Sequence, residues 1–131
     1  MIGFVEIDGG TRPRRTTFNP KWEHVLEYLH LLDGANYSTM TLGHGPDKPP
    51  WLQVCGGDNG LVMCQYMWDT LDGFKMLLNP DGNATDERSL TIGGQTTDRW
   101  TTEVLHTHKA VHDCLRYFCE NEQMSPEHHW E

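Results

Sequence analysis

Two periods of hydrophobic and polar positions divide this chain, and the period of two dominates from Trp51 to Gln95. Apolar runs of strand length there are separated by GGDNG, DTLDG and NPDG, whose residues tolerate positive φ or pre-set a turn. Breaks this short predict an antiparallel meander in which sequential strands pair. Trp51, Gln53 and Cys55 alternate with Leu52 and Val54, while Leu61 to Trp68 is apolar on both sides except at Gln65. A run of that kind must be covered on both faces or lie inside a sheet. Leu61 to Trp68 is therefore expected mid-sheet, with Phe74 to Leu78 and Ser89 to Ile92 following as neighbours.

The helical period appears twice. Trp22, Val25, Leu26, Leu29 and Leu32 recur at helical spacing, with Glu23, Glu27 and His30 outward, Asn19 as N-cap, Pro20 first in the helix and Gly34 as the stop. Val111, Cys114, Leu115, Phe118 and Cys119 form a second stripe within a helix expected from His108 to Asn121, with Thr107 as its N-cap. A first strand is expected from Met1 to Asp8 and another from Tyr37 to Leu42. The segment GHGPDKPP, with prolines at 46, 49 and 50, is expected to be an extended loop. TTDRWTTEVL reads as a last extended segment of the sheet, and Trp130 as an aromatic that folds back onto the domain. The expected fold is α+β: an antiparallel β-sheet meander with an N-terminal and a C-terminal helix packed on it, residues 1–131 forming one domain.

Charge narrows the partners. The formal net charge is −9, and residues 1–46 carry five acids and four bases, leaving fourteen acids and six bases to the rest. Such a surface repels nucleic acid and anionic membrane and favours a cationic partner; TRPRR is too small a basic patch to reverse this. No secretory leader or membrane-length apolar run is read, so a cytoplasmic location is expected. The sequons at Asn36 and Asn83 matter only in a secreted eukaryotic chain. Cys55, Cys64, Cys114 and Cys119 form no CxxC pair and are expected as buried free thiols.

The densest candidate chemistry is His106, His108 and His112 beside Cys114. His108 and His112 stand four apart, as two zinc ligands do on a helix, and a small metal-dependent hydrolase is the enzymatic alternative. Lys109, however, stands where HExxH carries its general base, and solvent-facing histidines explain the pattern as well. The tripeptide Gly93-Gly94-Gln95 matches one used by peptide-release factors, but in an acidic setting two turn glycines account for it. Asp69 and Asp72 flank a turn that favours aspartate on its own account. No nucleophile, base and oxyanion site come together, so no catalytic residue, metal or cofactor is assigned.

The helix before the sheet, the GGDNG hairpin after WLQVC, the strand leading into GGQ, and a helix followed by a tail ending SPEHHWE occur in a familiar order. Over residues 19–131 the chain resembles the Imm-one family of immunity proteins from bacterial polymorphic toxin systems. It departs from that family at Asn121 to Met124, where a Gly- and Arg-bearing turn is frequent, and in its histidine-rich tail. The resemblance implies a non-enzymatic inhibitor that binds a cognate toxin C-terminal domain and blocks its active site. A phosphate-gripping toxin needs a cationic groove, which an acidic protein can occupy as a substrate mimic. Asp58, Asp69, Asp72, Asp86 and Glu87, all placed in turns, are the candidate toxin-binding residues. A general peptide-binding module is a further alternative.

Overall fold

In the computed structural model, which describes residues 2–68, 73–93 and 96–131, the described strand pairs are all antiparallel. The main sheet contains β1 (Phe4–Asp8), β2 (Arg15–Phe18), β3 (Thr39–Gly45), β4 (Lys48–Gly56), β5 (Leu61–Met67) and β6 (Phe74–Met76), in the spatial order β2-β1-β3-β4-β5-β6. Helix α1 (Trp22–Leu31) joins β2 to β3. A separate two-stranded sheet is formed by β7 (Glu87–Ile92) and β8 (Thr96–Thr101), and β9 (His106–Thr107) and α2 (His112–Asn121) complete the fold. No described helix is long and apolar enough to cross a membrane.

Strand alternation sorts the sheet into two faces. Val5, Ile7, Met40, Leu42, Leu52, Val54, Val62 and Cys64 share one core with Val25, Tyr28 and Leu29 of α1 and with Cys114, Leu115 and Phe118 of α2. Both helices thus bury their stripes on the same sheet face. Cys55 and Met63, on the opposite face, make a smaller cluster with Leu90 and Leu105, against which Ile92 and Trp100 also pack. Gly56 permits this second cluster. Its φ is +105°, and a Cβ there would meet the Leu90 side chain at 2.5 Å.

β5 lies inside the sheet as its two-sided apolar run requires. On one side it pairs with β4; on the other its ends are shared, Gln65 to Met67 with β6 and Leu61 and Val62 with β9. The expectation that Ser89 to Ile92 would extend the same meander is corrected. β6 has no free edge to offer, because Met76 exchanges both backbone hydrogen bonds with Glu131 (2.9 Å each) and Leu78 N–H donates to His129 O at 2.8 Å. The tail takes the edge, so β7 turns to β8, which is likewise not a strand of the main sheet. Trp130 does fold back: it bridges Leu77, and its indole N–H donates to Ser125 O at 3.1 Å.

Other boundaries differ for local reasons. Asn19 does not cap α1, because it is left-handed (φ 50°) with its N–H on Gly3 O. The helix begins after Lys21, whose N–H donates to His24 Nδ1 at 2.9 Å, and it ends at Leu31, before Gly34. GHGPDKPP is not a loop throughout. β3 and β4 run into it with a register irregularity between Gly43 and Gly45, and Pro49 and Pro50 stand at that bulge, where the ladder makes no demand on their missing N–H. β2 has no counterpart among the expected elements; Arg14, just before it, pairs with Asp8 (3.2 Å), and Arg15, its first residue, with Glu27 (3.6 Å). Thr107 does cap the turn leading into α2, its Oγ1 accepting the Ala110 N–H at 3.2 Å.

Candidate protein-binding face

The sheet face opposite the helices is only partly covered by the β7–β8 hairpin. Pairing registers place Phe18 beside Phe4, Phe4 beside Gly43, Gly43 beside Trp51, Trp51 beside Met67 and Met67 beside Phe74. An apolar row therefore crosses all six strands of the ordered sheet. Its middle is buried, Phe4 to 2% and Trp51 to 8% exposure, while its ends are open: Phe18 is 67% exposed, Phe74 46%, and the adjoining Trp68 46%. Gly43 allows the middle to close. A Cβ there would lie 2.9 Å from the Trp51 ring and 2.9 Å from Pro50 O. Trp51 is anchored by its indole N–H, which donates to Gly45 O at 2.9 Å.

The next row is polar and hydrogen-bonded across strands. Thr16 Oγ1 donates to Glu6 Oε1 at 3.1 Å, Gln53 Nε2 to Thr41 Oγ1 at 3.3 Å, and Gln65 Nε2 to Gln53 Oε1 at 2.6 Å. Between the two rows runs a groove of about 220 Å³ lined by Phe4, Glu6, Thr41, Pro46, Trp51, Gln53 and Met67. Its chemistry suits a protein contact, with apolar surface, oriented amides and one carboxylate. Among the described residues that line it, Glu6 is the one ionisable group. These residues were not among the candidates read from the sequence. The available signal was that Leu61 to Trp68 is apolar on both sides except at Gln65, which leaves a second face in need of cover.

Of the five acidic candidates, Asp69 and Asp72 lie outside the described residues, as do Gly94 and Gln95. The other three are gathered at the β7–β8 hairpin. Asp58 Oδ1 accepts the Thr91 N–H at 2.9 Å and its Oδ2 accepts the Thr91 hydroxyl at 2.7 Å, which ties the GGDNG turn to β7. Asp86 pairs with Arg88, and Glu87 with Arg99 at 3.6 Å.

The histidines divide differently from the expected cluster. His106 is buried with Nε2 on Leu77 O at 3.0 Å, and His108 has Nε2 on Leu32 O at 2.9 Å. Burial holds the His106 imidazole below its ordinary value, against the pull of the Leu77 carbonyl and with His128 adding to the effect. His106 and His108 are thus each engaged by a backbone carbonyl rather than by His112. His30 of α1 joins instead: its Nε2 lies 3.2 Å from His112 Nε2, and its ring stacks on His108 at 5.8 Å. Burial lowers His112, as do His30, Lys109 and His108, with Asp113 opposing. Among the described residues, no group of three or more His, Cys, Asp or Glu is arranged to hold a metal ion.

The four cysteines are free and buried. Burial pushes the thiols of Cys55, Cys114 and Cys119 up to about 12 and that of Cys64 well above its ordinary value, so none is poised as a nucleophile.

No protein-family model and no curated protein matches this sequence.

Proposed function

We propose that this chain is a non-enzymatic immunity protein that binds a cognate bacterial toxin domain and blocks its active site. The observation that carries the reading is the aromatic row from Phe18 to Phe74, open at both ends on a protein of net charge −9. An exposed apolar patch bordered by polar groups is the surface a protein contact uses, with buried aromatics supplying most of the affinity. The acidic field adds selectivity. It speeds encounter with a basic domain and disfavours nucleic acid itself, so the partner this reading selects is a cationic, nucleic-acid-targeting toxin.

The resemblance to the Imm-one family supports the same reading. The architecture it assumes has one helix before and one after the meander, both on one sheet face, which leaves the aromatic face for the toxin. Asp86 and Glu87, with Asp69 and Asp72, supply steering charge; Asp58 holds the hairpin in place. The setting is the cytoplasm of the cell that makes both proteins.

The test is co-expression with the C-terminal domain encoded immediately upstream, followed by pull-down and a growth assay. A stable one-to-one complex and rescued growth are expected, with association slowing as salt rises. Absence of both binding and protection, or weak association with many unrelated proteins, overturns the reading.

A further inference from the structure

His30 stands in the last turn of α1 and His112 opens α2, 82 positions later, yet their Nε2 atoms are 3.2 Å apart with the rings perpendicular. Two imidazole nitrogens bound to one tetrahedral ion, each about 2.0–2.1 Å from it, stand roughly 3.3 Å apart. The pair is therefore spaced as two ligands of one metal. We propose that His30 and His112 form a two-imidazole clamp for a divalent transition ion of the zinc class, water completing the coordination.

Several features prepare this site. The ring of His108 stacks on His30 while its Nε2–H donates to the Leu32 carbonyl at the end of α1, which holds the His30 ring from one side. Asp113 offers a compensating negative charge and Lys109 an opposing positive one, while the protein's net charge of −9 favours a cation. Imidazole donors suit zinc, copper and nickel, whereas calcium and magnesium prefer oxygen. A bound ion would join the end of α1 to the start of α2. The clamp is independent of the aromatic face and of any toxin.

The experiment is titration of the intact, metal-free protein with Zn²⁺ at neutral pH, read by competition with a chromophoric chelator and by thermal melting. One zinc-dependent stabilising event is expected in the native chain. Because losing even an outer-shell partner costs a metal site roughly 10–100-fold, His30→Ala and His112→Ala should each weaken zinc binding by at least about tenfold. Their melting points without zinc should stay near the native value, since His30 is exposed and His112 half-buried. His128→Ala/His129→Ala serves as the control for adventitious tail binding and should bind as the native chain does. No zinc-dependent shift in the native protein, or a shift that survives His30→Ala, overturns the proposal. So does loss of the shift in the tail variant.

Discussion

Asp58 holds Thr91 by both its backbone and its side chain, at 2.9 Å and 2.7 Å, across 33 positions of sequence. This is how the hairpin of β7 and β8 is tied to the turn between β4 and β5. Hydrogen bonds to a charged group contribute about 1.5–3 kcal/mol, so Asp58→Ala should lower stability by about that amount. Urea denaturation measures it, and hydrogen exchange should show faster opening of residues 87–92. Unchanged stability together with lost partner binding would instead make Asp58 a contact residue.

The aromatic row makes opposite predictions for its middle and its ends. Phe4→Ala should cost about 3–5 kcal/mol, because it empties a buried site. Phe18→Asp and Phe74→Asp should leave stability within about 0.5 kcal/mol, as surface changes do. If the face meets a toxin, those same two variants should each weaken the complex by more than about tenfold. Melting curves and affinity measured side by side separate the two effects.

Stability should fall on mild acidification because of His106. Its folded pKa is lowered from 6.5 by burial, so above 6.5 both folded and unfolded forms are neutral and its packing is fully retained. As pH falls below that value the unfolded chain takes up the proton first, and stability is lost progressively down through the folded pKa. His106→Gln should flatten this limb in a chemical-denaturation series between pH 7 and 5. Asp33 acts lower on the scale. Burial raises its carboxyl, but hydrogen bonds from Ala35, Tyr37 and Asn36 outweigh that and lower it, so its contribution is full above the ordinary carboxylate value and is lost as pH falls from there through the lowered folded value.

The thiols supply a check on packing. With Cys55, Cys64, Cys114 and Cys119 buried and their thiols raised by burial, none should react with a disulfide reagent at pH 8 in the native protein; all four should react in denaturant. Rapid native labelling of one would show that its element opens locally.

Much of the framework can be read in the chain itself. The stripe Val111, Cys114, Leu115, Phe118 and Cys119 became the buried face of α2 and of the 3-10 turn Lys109–Val111 that precedes it, Leu61 to Met67 lies inside the sheet, and Trp130 returned to the domain. In each case a period of apolar residues records which side of an element must be buried, and that information is local. Tertiary structure decided what meets what. Whether β7 joins the main sheet depends on whether the edge of β6 is free, and residues 129–131 took it. The aromatic row needs one residue from each of six strands in register, and the His30–His112 pair needs residues 82 positions apart on two helices to meet. Periodicity marks the face a residue occupies; competition among distant segments for the same edges and faces chooses its neighbours.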